Sequence, residues 1–137
     1  MNNIYLSIGS NIGNRLNNIN KSISFLEENG IVILKKSSIY LTEPKGYNEQ
    51  IDFYNIVVLI NTNLNIDDFF SVIKKIEISI GKKNNHLQNR PRIIDIDILT
   101  FGSQVIQNST LTIPHARLNE RKFVLIPWNE LDSRFLV

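Results

Sequence analysis

The chain has 137 residues, 42% of them hydrophobic and 20% charged, so one domain can bury a hydrophobic core. It contains no cysteine, which excludes a disulfide framework, a thiolate metal site and a cysteine nucleophile. The net charge of +2 is too small to indicate nucleic-acid binding by itself, and no apolar run reaches the length of a membrane span. We therefore expect a single cytoplasmic domain over residues 1–137.

Four strands are predicted from runs and alternations of apolar residues. The first three cover residues 4–9, 31–40 and 53–61, and the fourth carries Asp95 and Asp97. Two helices are predicted from apolar residues at helical spacing, one over residues 16–26 closed by Gly30 and one over 66–80 ended by Gly81.

Weaker signals follow the fourth strand. We expect a short extra strand at 104–106, paired through the turn at Gly102 and Ser103, and a partly helical segment over 118–131 that is broken near Pro127. The main order β-α-β-β-α-β predicts a ferredoxin-like α+β fold, an antiparallel sheet with helices packed on one face. This fold has many functions and cannot by itself decide the function here.

Asp95 and Asp97 are the most informative residues. They stand two apart in a branched aliphatic run, so both carboxylates project from one face of the strand and Ile94, Ile96 and Ile98 from the other. Two carboxylates this close repel unless a cation neutralises them. Mg²⁺ is the economical cation, because it prefers oxygen ligands and usually arrives with phosphates.

Arg90 and Arg92 lie just upstream of this pair and suit phosphate oxygens. Carboxylates for a metal beside arginines for phosphate are the components of phosphoryl transfer. The alternative is an ordinary strand whose two carboxylates form surface salt bridges.

Three further groups are candidates for binding. Phe53 and Asn55 share one strand face and could stack on a flat heterocycle and read its edge, or they could be a half-buried ring and a strand-end amide. A second cationic group, in an irregular segment, could bind anions or be solvated basic surface; it comprises His115, Arg117 and Arg121. Glu77 lies among apolar positions of the second helix, where it could meet a ligand amine or lie on ordinary helix surface.

Six segments occur together and in order as in one known family. The chain resembles the 6-hydroxymethyl-7,8-dihydropterin pyrophosphokinases of folate biosynthesis. The resemblance runs nearly end to end and rests on Leu6 to Asn11 with Gly13-Asn14, Thr42 to Gly46, Phe53-Tyr54-Asn55, Pro91-Arg92 with Asp95 to Ile98, Pro114-His115, and Arg121 with Phe123-Val124-Leu125.

This resemblance implies that the chain is a transferase. It would move the β,γ-pyrophosphoryl group of ATP to the hydroxymethyl oxygen of the dihydropterin and release AMP. The implied cofactor is Mg²⁺, as two ions brought with ATP, and the implied partners are ATP and a hydroxymethyl dihydropterin. Neither nucleic acid nor a membrane is an expected partner, and the expected state is a monomer.

The resemblance also implies roles for individual residues. Asp95 and Asp97 would hold the metal ions, and the catalytic group would be completed by Arg92 and Arg121. The implied ATP-binding residues are Glu77, Arg92, Ile98, His115 and Arg121. The implied pterin-binding residues are Thr42, Pro44, Lys45, Phe53, Asn55 and Phe123, the two aromatic rings lying on opposite sides of the pterin.

Two other classes of function share the predicted fold. An RNA-binding module has the same element order, but the aromatic signature of its third strand is missing here. A non-catalytic ligand-sensing domain needs no pair of aspartates with flanking arginines. Magnesium-dependent release of AMP would separate the enzyme from both.

Overall fold

The computed structural model describes residues 2–42, 53–81, 93–107, 111–113 and 122–132, with the backbone alone at residues 42 and 122–124. The strands are β1 (Asn2–Ser10), β2 (Val32–Lys36), β3 (Tyr40–Thr42), β4 (Phe53–Thr62), β5 (Asp95–Phe101), β6 (Ile106–Gln107) and β7 (Thr112–Ile113). The helices are α1 (Arg15–Glu28), α2 (Ile66–Ile80) and α3 (Lys122–Leu131).

The main sheet is antiparallel and has the order β2-β4-β1-β5, with β3 also pairing with β4. β1 lies in the middle and pairs with β4 along its whole length, from Asn2 opposite Thr62 to Ser10 opposite Tyr54. β5 ends the strand order, next to β1. The predicted ferredoxin-like α+β fold is thereby confirmed.

α1 and α2 pack on one face of the sheet, as predicted. Alternate residues of β1 point to this face because side chains alternate along a strand, and Ile4, Leu6 and Ile8 are fully buried there. The helices meet them with Ile19, Ile23, Leu26, Phe69, Ile73 and Ile76. Burial of each such side chain contributes about 1.5–3 kcal/mol, so this core fixes where the strands and their outward residues lie.

Side-chain caps define where both helices begin. The Asn14 carboxamide accepts a hydrogen bond from the Asn17 N–H over 3.0 Å, and Asn65 accepts one from Asp68 over 2.8 Å. α2 ends at Gly81, whose φ of 122° is a conformation that other residues rarely adopt. Among the residues described, no helix is both long and apolar enough to cross a membrane.

α3 packs on the opposite face of the sheet, which we call the α3 face. Its Trp128 is fully buried against Val57 and Leu99. The predicted break near Pro127 is wrong, because the helix runs through this residue. Proline removes one backbone hydrogen bond, and the burial of the neighbouring indole holds the turn in place.

The predicted second strand, residues 31–40, is also wrong as one element, since it divides into β2 and β3. Ser37 causes the break. Its N–H donates to the Val57 carbonyl, and its hydroxyl accepts from the Val57 N–H, each over 2.9 Å. The hydroxyl of Ser37 thus accepts the hydrogen bond that a backbone carbonyl would accept in a regular strand pair.

The short extra strand lies at Ile106–Gln107 and pairs with β7, so its predicted pairing through the turn at residues 102–103 is wrong. The turn instead closes on other backbone groups. Gly102 donates its N–H to the Asn3 carbonyl, and Gln104 donates to Phe101. The chain therefore leaves the main sheet after β5.

Candidate active site

A row of four residues crosses the sheet at one end of the α3 face. In the strand register Asp95 lies opposite Gly9, Gly9 opposite Asn55, and Asn55 opposite Tyr40. Because cross-strand partners lie side by side on the same face, β5 brings a carboxylate, β4 a carboxamide and β3 a phenol to this row. The sequence prediction that Asp95 and Asn55 belong to one site is consistent with this register.

Asp97 lies one row further along the same face, opposite Ser7. Both aspartates are half-buried, while Ile96 and Ile98 between and beyond them are buried in the core on the other face. The predicted separation of carboxylates and isoleucines is thus confirmed. Two residues apart on a strand, the Asp Cα atoms are about 6.8 Å apart, which suits ligands of neighbouring metal ions.

The donor chemistry of this pair fits Mg²⁺. Carboxylate oxygens are hard donors, and Mg²⁺ is usually held by one or two carboxylates with phosphates and water completing the shell. Within the described residues no cluster of three or more His, Cys, Asp or Glu is present. Because Mg²⁺ takes an octahedral shell of oxygens, two carboxylates alone would leave positions for substrate oxygens and water.

Glu77 lies behind the aspartate-bearing strand. Its side chain is 1% exposed, so the interpretation as ordinary helix surface is wrong. Oε2 accepts a hydrogen bond from the Ile96 N–H over 2.9 Å, and Oε1 lies 3.2 Å from the Lys74 ammonium. Ile96 stands between Asp95 and Asp97, so this carboxylate holds the backbone from which both metal-ligand candidates project.

A cavity of about 170 Å³ opens beside β5, at the end of the strand order. Lys74, Asp97, Ile98 and Thr112 contribute to its lining. The Lys74 ammonium also lies 5.0 Å from the centre of the Phe70 ring, a cation–π distance, and Phe70 lines the cavity too. One aspartate of the pair thus borders a space with an apolar wall and a cation.

The aromatic and amide candidates lie together on β4. Phe53 is half-buried, and Asn55 is 2% exposed. Gly9 on β1 lies beside both, since a Cβ built on it would be 2.7 Å from Asn55 Oδ1 and 3.4 Å from Phe53 Cδ1. Gly9 is not among the site residues predicted from the sequence. A glycine inside a strand was the available signal, because it often marks close approach of other groups.

Glu130 of α3 connects the helix to β3. Its Oε1 accepts from the Tyr40 hydroxyl over 2.7 Å, and its Oε2 accepts from the Ser38 N–H over 2.9 Å. The Tyr40 hydrogen bond lowers the pKa of Glu130, and the same bond raises the pKa of Tyr40. Since Tyr40 belongs to the four-residue row, these bonds connect α3 to one end of that row.

The remaining candidates are placed only in part. Thr42 pairs with Phe53 in the backbone register, and Phe123 falls in the first turn of α3, but the side chains of both lie outside the description. Several predicted site residues lie outside the described residues altogether: Pro44, Lys45, Arg92, His115 and Arg121.

Proteins of known identity resemble this chain over nearly its whole length. It is 39% identical to the 2-amino-4-hydroxy-6-hydroxymethyldihydropteridine pyrophosphokinase of Bacillus subtilis (strain 168), over 96% of this chain and 79% of that protein. The protein of the same name from Aquifex aeolicus (strain VF5) is 37% identical, over 97% and 82%. A folate synthesis bifunctional protein of Arabidopsis thaliana is 38% identical over 93% of this chain, which spans only 26% of that protein.

Solved structures agree on the fold. The chain superposes on the crystal structure of Plasmodium falciparum HPPK-DHPS with a TM-score of 0.69 at 19% identity, covering 96% of this chain and 40% of that one. The family model of 7,8-dihydro-6-hydroxymethylpterin-pyrophosphokinase matches residues 5–133. The chain therefore belongs to the family of 7,8-dihydro-6-hydroxymethylpterin-pyrophosphokinases.

Proposed function

We propose that the end of the α3 face is where this chain transfers the pyrophosphoryl group of ATP to 6-hydroxymethyl-7,8-dihydropterin in folate biosynthesis. One observation carries the proposal. Asp97 shares the α3 face with Asp95 and Asn55 and also borders the cavity beside β5. The carboxylate pair lies between this cavity and the carboxamide, and a reaction that joins two substrates through a polyphosphate requires such an arrangement.

The cavity beside β5 is the nucleotide side of the proposed site. Ile98 and Phe70 give it apolar surface for a base, and Lys74 brings a positive charge near the polar part of the nucleotide. Glu77 is buried behind β5, so it acts on the nucleotide by holding the Ile96 backbone. We therefore propose that Glu77 supports the ATP site through the Ile96 backbone and does not contact ATP directly.

The pterin side lies toward β4 and β3. Asn55 offers a carboxamide, which pairs donor with acceptor along the edge of a heterocycle. Phe53 and Phe123 supply rings for stacking, which suits a planar bicyclic substrate. We propose that Thr42, Pro44 and Lys45 complete this side.

The residues of the chain contribute by binding, orientation and charge. The hydroxymethyl group releases its proton to solvent, and its oxygen forms a bond to the β-phosphorus of ATP. The bond from that phosphorus to the α-phosphate oxygen breaks, and AMP leaves with that oxygen. Asp95 and Asp97 would hold two Mg²⁺ ions, which supply Lewis-acid stabilisation of the phosphate oxygens. Arg92, Arg121 and His115 would neutralise the charge on the polyphosphate.

The direct test is an incubation with ATP, Mg²⁺ and the hydroxymethyl dihydropterin, with AMP separated from ADP. We expect AMP and the pterin pyrophosphate in equal amounts and no AMP when either Mg²⁺ or the pterin is omitted. Release of ADP would indicate transfer of a single phosphoryl group and would contradict the proposal. A single domain over residues 1–137, a monomeric state and a cytoplasmic location stay predictions from the sequence.

A further inference from the structure

Gly9 lies between Asp95 and Asn55 in the four-residue row. Its backbone lies outside the positive-φ region in which glycine is favoured. Any other residue could therefore adopt the conformation of this strand position. The reason for a glycine must lie in the space around it.

That space is occupied by two residues of the proposed pterin side. A Cβ at this position would lie 2.7 Å from Asn55 Oδ1, closer than real contacts allow, and 3.4 Å from Phe53 Cδ1. The next atom, the Tyr54 carbonyl oxygen, is at an ordinary contact distance of 3.6 Å. A side chain on Gly9 would thus press on the carboxamide of Asn55 before it pressed on any backbone atom.

We infer that Gly9 is a positioning residue for the pterin, because its missing side chain leaves the room in which the Asn55 carboxamide lies over β1 beside the Phe53 ring. The inference rests on the proposed function, in which Asn55 reads the edge of the heterocycle. Asn55 is 2% exposed, so its carboxamide is packed among other groups as well as beside Gly9. A methyl group at residue 9 would rotate it away from the orientation that matches the pterin edge.

The fold should tolerate this substitution. β1 pairs on both sides, with β4 and with β5, and the two ladders hold its backbone in place. The clashing atom is the end of a rotatable side chain, so moving it costs less than moving the strand. Gly9→Ala should therefore act on substrate recognition more than on folding.

The experiment is a double-mutant cycle with Gly9→Ala, Asn55→Ala and the combined variant. We measure KM for the pterin at saturating ATP, KM for ATP at saturating pterin, and the midpoint of thermal unfolding. Gly9→Ala should raise KM for the pterin about tenfold, as expected for one or two lost hydrogen bonds, and leave KM for ATP within about twofold. In the Asn55→Ala background the same methyl group should have no further effect on KM for the pterin.

A second measurement follows the carboxamide without catalysis. The side-chain NH₂ signals of Asn55 in the amide NMR spectrum, assigned by their loss in Asn55→Ala, should shift in free Gly9→Ala. If Gly9→Ala does not fold, refolding on addition of Asn55→Ala also supports the inference. If Gly9→Ala does not fold and Asn55→Ala does not restore folding, the inference is overturned, because the added methyl group would then clash with the backbone and not with the Asn55 carboxamide.

Two other results would overturn the inference. One is an unchanged KM for the pterin in Gly9→Ala while Asn55→Ala raises it. The other is the same rise from Gly9→Ala whether residue 55 is Asn or Ala. Failure of the proposed function has a different signature, because the wild-type chain would then release no AMP from ATP, Mg²⁺ and the pterin.

Discussion

Glu77 Oε2 accepts a hydrogen bond from the Ile96 N–H over 2.9 Å, and this bond joins a buried carboxylate of α2 to the residue between the two aspartates. β5 ends the order of the main sheet, so this N–H points away from β1 and a side chain supplies its acceptor. A helix side chain thereby supplies to β5, which carries the two candidate metal ligands, the acceptor that a neighbouring strand would otherwise supply.

The first prediction compares Glu77→Ala with Glu77→Gln. Ala leaves the buried Ile96 N–H without this acceptor, which should cost about 1–3 kcal/mol of unfolding free energy and raise the Mg²⁺ concentration needed for half-maximal turnover. Gln keeps an acceptor oxygen, so Glu77→Gln should retain most of the unfolding free energy and a Mg²⁺ requirement close to that of wild type. Chemical denaturation and a Mg²⁺ titration of turnover measure the two effects. If folded Glu77→Gln is as impaired as Glu77→Ala, the charge of Glu77 matters beyond its hydrogen bond with Ile96, and the proposed supporting role is wrong.

The second prediction concerns the metal ligands. Asp95→Asn or Asp97→Asn should lower kcat by about a thousandfold or more, because each lost ligand removes several kcal/mol of charge stabilisation and about 1.4 kcal/mol is a factor of ten. Neither change should lower the unfolding midpoint appreciably. Asp67→Asn, in the exposed first turn of α2, is the matched control and should leave kcat nearly unchanged. Turnover near wild type in either strand variant at saturating Mg²⁺ would contradict the metal assignment.

The long elements of the fold could be predicted because their apolar residues follow one period. In α1 and α2 most residues of the predicted apolar spacing are buried or half-buried, except Leu16 near the start of α1, which is exposed. A glycine follows each helix at the expected place. The break between β2 and β3 could not be predicted. It depends on Ser37 bonding to Val57, twenty residues away in the chain, and no local pattern carries that contact.

The candidate site shows the same division. Asp95 and Asp97 were found because two charges inside an aliphatic run contradict a plain buried strand. Glu77 was found, but its role was not, since its partner is a backbone N–H whose position depends on how α2 packs on β5. Gly9 is not among the residues predicted from the sequence, because the role proposed for it depends on the space that it leaves for Asn55.

The third prediction separates stacking from packing in α3. Phe123→Ala should weaken pterin binding by about 1–3 kcal/mol, by analogy with bases stacked on aromatic side chains, and leave ATP binding nearly unchanged. Leu125→Ala is the matched control, because Leu125 packs against the cluster around Trp128. It should lower the unfolding midpoint and spare pterin affinity. Titration calorimetry with each ligand distinguishes them, and a Phe123→Ala variant that behaves like Leu125→Ala would show that the ring belongs to the core.

The last prediction concerns Glu130, whose hydrogen bonds from Tyr40 and Ser38 tie α3 to β3. The bond from Tyr40 lowers the pKa of Glu130 in the folded chain below its ordinary value. The ionised Glu130 side chain therefore contributes fully to stability above its ordinary pKa. This contribution is lost as the pH falls through the lowered pKa. The same bond raises the pKa of Tyr40, so the contribution of the phenol is present below its ordinary value and is lost as the pH rises through the raised one.

Gln at position 130 does not titrate, so Glu130→Gln should be less stable than wild type near neutral pH and approach it as the pH falls through the lowered pKa of Glu130. The difference should be modest, because the group is exposed and solvent screens it. Urea denaturation of wild type, Glu130→Gln, Tyr40→Phe and the double variant at neutral and acid pH measures it. Tyr40→Phe should remove most of the pH dependence of the stability difference, since the hydrogen bond from the phenol is the main cause of the lowered pKa of Glu130. A wild-type advantage that is the same at acid and neutral pH would mean that the charge of Glu130 does not hold α3 on β3.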